Sequence, residues 1–337
     1  MRPRIEQPGL DKSVGPFRRA LQYACYDWTR EMPRSKRIIT WAGHLMQGYA
    51  VYGIWARSLV WPLMWPHRMV LYGTVFVMYV LGAGLKNGML TSEFVRKTQL
   101  EADQIAARQI QQTLQPGKLD ELPGYELETF YKPFREVGGD YFDVIELPGK
   151  RTLFAVADVS GKGMPAALLA ANIQALVRSS ASFEADPLVL ARQINSHLSR
   201  YTPSDRFATA VFIVLSRDSG ELTYVNAGHN APIVFGSGSA IALEATGMPL
   251  GLFPKAAYEA RKTLLPPGGA LLVFTDGLTD SIPGENAEKR LRDALADSSG
   301  RTMSILKSLI DPEFNEDDVT ILLVKRGADA ASGGRRG

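Results

Sequence analysis

Residues 208–226 read ATAVFIVLSRDSGELTYVN. Two apolar runs, Ala208–Leu215 and Leu222–Asn226, are separated by Arg217-Asp-Ser-Gly220, a composition that favours a tight turn. The pair predicts an antiparallel hairpin. Similar short runs lie on either side: Tyr125–Tyr131, Tyr141–Glu146, Thr152–Ala157, Pro232–Phe235, Ala270–Thr275 and Val319–Val324. Two helices interrupt them. Met164–Ser180 is rich in Ala and Leu, and Leu188–Arg200 follows Asp186 as N-cap with Pro187 in the first turn. Strands that are mostly consecutive predict an α+β layered domain with antiparallel sheets rather than a doubly wound parallel sheet.

The whole chain has 337 residues, of which 45% are hydrophobic and 22% charged, enough apolar material for one large or two ordinary domains. Its net charge of +3 is unevenly distributed. Residues 1–92 hold 12 Lys/Arg against 4 Asp/Glu, and the remainder holds 26 against 31. All five tryptophans (28, 41, 55, 61 and 65) fall in that basic first part, so the two parts read as different modules. Cys25 is the only cysteine, which excludes a disulfide framework, and it lacks a following Cys-x5-Arg loop, so a cysteine-phosphatase reading has no support. The four histidines (44, 67, 197 and 229) are scattered, which argues against a His-based metal site.

No acidic residue occurs between Glu31 and Glu93. Inside that gap Ile38–Ala56 and Met69–Leu85 carry no formal charge, and their 19 and 17 residues just match a hydrocarbon core of about 30 Å. Flanking tryptophans, nine Lys/Arg before Ile38 and Lys86 after the second run predict a two-helix membrane hairpin with both ends inside. The alternative is a helical hairpin within a soluble domain. Residues 89–115 contain no Gly or Pro, and Ala102, Ile105, Ala106, Ile110 and Leu114 form an apolar face. That helix either packs on the following domain or pairs with a second copy as a homodimer. The expected layout is a basic segment (1–37), a membrane hairpin (38–86), a helical linker (87–117), a catalytic domain (118–327) and a tail (328–337).

Acids recur where strands begin or end. Asp140 precedes one run, Asp158 and Asp276 follow others, and the Asp317-Asp318 pair precedes a fourth. Strand ends are rigid mounts on which carboxylates can converge, and converging carboxylates without counter-charge call for divalent cations. All-oxygen ligation selects Mg²⁺ or Mn²⁺. Each acid has a plainer reading: a turn for Asp276-Gly277, a helix cap for Asp158, a solvated strand entry for Asp317 and Asp318, an exposed side chain for Asp143. Ser160-Gly-Lys-Gly163 resembles a phosphate-binding P-loop but has Val156 and Gly163 where Gly and Ser/Thr are needed. Gly138-Gly-Asp-Tyr-Phe142 resembles a diguanylate cyclase signature, with Tyr141 in place of the acid.

Six blocks occur in order: REVGGDYFDV, ADVSGKGMPAALLAA, NAGHNAP, GMPLG, LVFTDGLTDS and DDVTILLV. Together they resemble the SpoIIE/RsbU-type branch of the metal-dependent (PPM-type) serine/threonine phosphatases, over about residues 118–326. The resemblance implies an α-β-β-α sandwich and hydrolysis of phosphoserine or phosphothreonine on proteins with two Mn²⁺ or Mg²⁺, by direct in-line attack without a covalent enzyme intermediate. It assigns metal ligation to Asp140, Asp158, the Val159 carbonyl, Asp276 and Asp317, with Asp318 the fallback for Asp317 and Asp143 an additional ligand candidate. Catalysis falls to Asp140, Asp158 and Asp276. His229 shapes a loop or contacts the site, and Lys162 is the nearest phosphate-binding candidate. The implied partner is a phosphorylated STAS-type anti-sigma-factor antagonist, with no nucleic acid. The implied location is the bacterial inner membrane, phosphatase domain in the cytoplasm. A pseudophosphatase that binds phosphoproteins without turnover is the alternative, and a diguanylate cyclase the third reading.

Overall fold

The computed structural model describes residues 38, 41–49, 52–53, 65–116 and 122–328, the last with breaks at 182–185, 204, 237–238, 285–286, 297–301, 312–313 and 315. The basic segment 1–37 and nearly all of the tail expected at 328–337 lie outside the described residues. The chain divides into two compact units, 1–102 and 103–337.

In the first unit, residues 41–49 are helical and Trp65–Leu114 forms one uninterrupted helix, α1, which continues into the second unit. Gly43 and Gly82 let the two helical stretches touch backbone to backbone. A Cβ on Gly43 would stand 3.1 Å from the Gly82 carbonyl oxygen. The membrane hairpin expected at 38–86 is not supported. Among the described residues no helix is long and apolar enough to cross a membrane. The second apolar run is instead the opening part of α1, which passes Lys86 without a break and becomes polar.

The second unit is a sandwich. After α1 come β1 (Tyr125–Lys132), β2 (Tyr141–Leu147), β3 (Arg151–Val159), α2 (Met164–Ala181), α3 (Pro187–Tyr201), β4 (Ala208–Ser216) and β5 (Glu221–Ala227). The chain continues through β6 (Ile233–Gly236), β7 (Ser239–Ala242), β8 (Arg261–Leu264), β9 (Ala270–Phe274), α4 (Asp276–Asp280), α5 (Ala287–Ala296), α6 (Thr302–Leu309) and β10 (Val319–Arg326). One sheet has the order β1-β10-β9-β6-β7 and the other β2-β3-β4-β5-β8. Every pairing between these strands is antiparallel, including the β4–β5 hairpin. This matches the α+β expectation.

Alternation along the strands builds the layers. Phe154 and Val156 of β3 face Val273 and Leu322 across the sandwich, whereas Leu153, Ala155 and Ala157 face the helical layer of α2 and α3. On the other side, Leu272, Phe274, Ile321 and Leu323 pack on Leu291, Met303 and Leu306 of α5 and α6. The central strands are buried on both faces, which is why they read as unbroken apolar runs. In α2, Ala166, Ala170, Ile173 and Val177 recur at helical spacing, and all are buried. Helix α3 starts where Asp186 accepts the Leu188 N–H at 2.8 Å, a cap worth about 1 kcal/mol.

A polar tie crosses the interior. The His229 Nδ1 and Thr209 Oγ1 are hydrogen-bonded at 2.9 Å, and Asn226 brackets the same loop by donating to the His229 carbonyl and accepting its N–H. Burial lowers the His229 pKa to about 4 from an ordinary value near 6.5. Because the folded value is the lower one, neutral His229 contributes full stability above about pH 6.5, and that contribution declines as pH falls toward 4. Replacing His229 with Gln is expected to narrow the difference between urea midpoints at pH 7.5 and pH 5; an unchanged difference would refute this account.

Candidate active site

Strand register brings the acids to one end of the sandwich. Tyr141 opens β2 opposite Ala157 near the end of β3, so Asp140 and Asp158 are neighbours. Ile321 of β10 pairs with Phe274, the last residue of β9, so Asp317 and Asp318 enter beside Asp276. Asp276 is the first residue of α4. The chain can pass this closely only because residue 277 is glycine: a Cβ there would overlap the Asp318 carbonyl.

The two members of the Asp317-Asp318 pair do different work. Asp318 is buried, and its carboxylate accepts the backbone N–H groups of Phe134 at 2.7 Å and Gly139 at 2.5 Å. It fastens the 133–140 loop to the start of β10. Asp317 is half-exposed and pairs with Lys162 at 2.8 Å. Lys162 also donates to the Glu316 carbonyl at 2.7 Å, and its ammonium lies 5.4 Å from the centre of the Phe134 ring.

Asp140 is buried, and its Oδ2 accepts two hydroxyl donors, Thr275 at 2.8 Å and Thr320 at 2.6 Å. Gly138 and Gly139 allow this loop to close. A Cβ on Gly138 would overlap the Tyr131 hydroxyl, and one on Gly139 would stand 3.2 Å from the Val159 carbonyl oxygen. The Gln111 side chain grips the same loop from α1, donating to the Gly138 carbonyl at 2.7 Å and accepting its N–H at 3.1 Å. A cavity of about 120 Å³ lies next to this grip, lined by Ile110, Gln111, Asp140, Tyr141, Met164 and Leu168.

The carboxylates act on one another. Burial, then the charges of Asp276, Asp317 and Asp318, push the Asp158 pKa up to about 7, with Lys162 opposing. Burial and the charge of Asp158 push Asp140 well above the usual carboxylate range, against the lowering effect of the two threonines. Asp276 and Asp318 are also raised, chiefly by burial. Among the described residues no three His, Cys, Asp or Glu side chains converge as a ready-made metal cage. The donor set still suits hard divalent cations. It consists of carboxylate oxygens whose mutual repulsion is opposed by the Lys162 ammonium.

Asp143 stands apart. It is buried and not exposed, and it does not join the cluster. Its two oxygens pair with Arg178 of α2 at 2.7 and 3.3 Å, and the Tyr141 hydroxyl lies 3.2 Å away. The pairing corrects both the ligand and the solvent-facing readings of this residue. Thr275, Thr320 and Gln111 were not singled out by sequence. Thr275 adjoins Asp276 and Thr320 lies two residues after Asp318, so proximity to the acids is the sequence signal they carry.

A family model described as Stage II sporulation protein E (SpoIIE) matches residues 148–327, more than half of the chain. The chain belongs to the SpoIIE family. Protein IcfG of Synechocystis sp. is 27% identical over 257 residues, covering 65% of this chain and 40% of that protein. Phosphoserine phosphatase RsbP of Bacillus subtilis is 24% identical over 209 residues, covering 59% and 52%. This chain therefore spans about half or less of the length of these two relatives. The crystal structure of the RsbU and RsbW domains of Rv1364c from Mycobacterium tuberculosis superposes with a TM-score of 0.54 at 29% identity, covering 61% of this chain and 60% of that one. SpoIIE membership removes the cyclase reading of Gly138-Gly-Asp-Tyr-Phe142.

Replacing Asp158 with Asn removes one of the crowded charges, so the melting temperature at pH 7.5 without added metal should rise above that of the parent protein. A fall would contradict the repulsion described here. Asp143→Asn should cost about 1–3 kcal/mol in urea unfolding through lost charged hydrogen bonds, while leaving Mn²⁺ affinity unchanged in calorimetry.

Proposed function

We propose that this chain is a divalent-metal-dependent protein phosphatase that hydrolyses phosphoserine or phosphothreonine on another protein. The observation that carries the reading is the crowding of Asp140, Asp158, Asp276 and Asp317 at one end of a SpoIIE-family sandwich, with Asp158 raised to about 7. In this reading Asp140, Asp158, the Val159 carbonyl, Asp276 and Asp317 would hold the Mn²⁺ or Mg²⁺ ions, with Asp158 the ligand nearest the middle of the set. Divalent ions, when bound, supply Lewis-acid polarisation of phosphoryl oxygens and lower the pKa of water.

The chain's own groups have separate tasks. Asp317 is the ligand of its pair, because Asp318 already accepts two backbone N–H groups. Lys162, on the exposed side of Asp317, can turn toward a phosphoryl oxygen. With its pKa raised to about 7, the Asp158 carboxyl holds its proton more readily than an ordinary carboxyl, so cation binding competes with that proton.

The substrate we propose is a phosphorylated STAS-type anti-sigma-factor antagonist in a partner-switching pathway; the occurrence of RsbU and RsbW domains together in the Mycobacterium tuberculosis protein supports it. Residues 118–327 form the catalytic domain and 87–117 its linker. Through Gln111 and Gly138 the linker reaches the Asp140 loop, a route by which input can alter metal ordering. Exposed Ile105 and Ile110 on α1 support a homodimer through the linker, to be checked by light scattering. Placement at the bacterial inner membrane, catalytic domain in the cytoplasm, rests on the exposed Phe76, Val77, Val80 and Leu81, and cell fractionation tests it.

The full chain is expected to release phosphate from a phosphorylated STAS protein of its own genome when Mn²⁺ is present. Asp158→Ala and Asp276→Ala should abolish release while remaining folded by circular dichroism. Turnover by either variant would sink the metal-site reading. Mn²⁺ binding without turnover by the parent chain would favour the pseudophosphatase instead. The Mn²⁺-induced rise in melting temperature should shrink as pH falls from 8 to 6, because protonated Asp158 competes with the cation.

A further inference from the structure

Two threonines hold Asp140, and each belongs to a different chain segment. Thr275 is the residue between β9 and α4, and Thr320 lies in β10; both are fully buried. Their backbones are bonded to each other, with the Thr275 N–H donating to the Thr320 carbonyl at 3.1 Å. The Thr320 N–H in turn donates to Thr275 Oγ1 at 2.9 Å. Each hydroxyl then directs its single proton to the same oxygen, Asp140 Oδ2. A hydroxyl has one proton to give. The Thr275 hydroxyl accepts from the Thr320 N–H and has two acceptors in reach, of which Asp140 Oδ2 at 2.8 Å is closer than the Asp318 carbonyl at 3.4 Å, so its proton goes to Asp140.

We infer that Thr275 and Thr320 are positioning residues that fix Asp140 in one orientation, with Oδ2 held by the protein and Oδ1 presented to a cation. The inference rests on the metal-dependent reading above but concerns binding, not turnover. Partners of this kind typically change metal affinity about 10- to 100-fold when removed, because they fix the angle and charge of the ligand. The pair also connects the Asp276 and Asp317 segments to Asp140 on the opposite sheet, so one hydrogen-bonded bridge sets the spacing of both halves of the site.

The test is Mn²⁺ titration of the full chain by calorimetry, with urea unfolding as the folding control. Thr320→Val removes one donor while keeping shape, and Thr275→Val removes the other, so either foldable variant suffices. The valine variants are expected to bind Mn²⁺ about 10- to 100-fold more weakly, and Thr320→Ser is expected to bind like the parent. In an Asp140→Asn background, Thr320→Val should add no further loss, an outcome that a general packing defect would not produce. Parental affinity in a folded valine variant, an equal loss in Thr320→Ser, or an additive loss with Asp140→Asn would each overturn the inference. If the parent chain binds Mn²⁺ but releases no phosphate, the phosphatase reading fails and the positioning role stands on its own titration.

Discussion

Crowding like charges is unfavourable, and the second unit is arranged so that it cannot be avoided. Asp158 lies within electrostatic reach of Asp276, Asp317 and Asp318, and Asp140 feels Asp158. Flexible loops would relax such a cluster by swinging the carboxylates into water. Here each acid sits within two residues of a strand whose register is set by burial on both faces. The apolar core between the sheets therefore holds the charges against their repulsion. This is the general bargain of a functional site: local stability is given up where chemistry requires it, and packing elsewhere compensates.

Much of the architecture was legible because central strands declare themselves. Eight of the runs picked from sequence become strands, since residues such as those of β3, β4 and β10 are apolar on both faces. The two strands that escaped, β7 and β8, are short edge strands with largely exposed side chains, SAIA and RKTL, and leave no apolar signature. The apolar runs near the N-terminus misled for the opposite reason. Lack of charge marks them in composition, but the second proves to be part of a helix that runs on into polar sequence.

The site was legible in its acids and opaque in their supports. Placement at strand ends picks out Asp140, Asp158, Asp276 and Asp317 as neighbours in the fold, and their raised carboxyls show the mutual influence of their charges for Asp140, Asp158 and Asp276. Spacing could not separate Asp317 from Asp318, because adjacent residues in extended chain point to opposite sides and nothing local says which side holds a waiting N–H. Asp143 was misread because its partner, Arg178, is 35 residues away on a helix that packs over β2. The same holds for the threonines on Asp140, 135 and 180 residues distant.

The grip of Gln111 on Gly138 is uncharged. An amide side chain here pairs with a peptide group through one donor and one acceptor, much as a neighbouring strand would. Close by, Arg108 and Glu136 link the same helix to the same loop through an exposed ion pair at 2.9 Å. Dissolved salt screens the second link and barely touches the first. As ionic strength rises, the ionic strap slackens while the amide clasp stays closed. The Gln111 contact with this loop is therefore the one expected to persist in high salt.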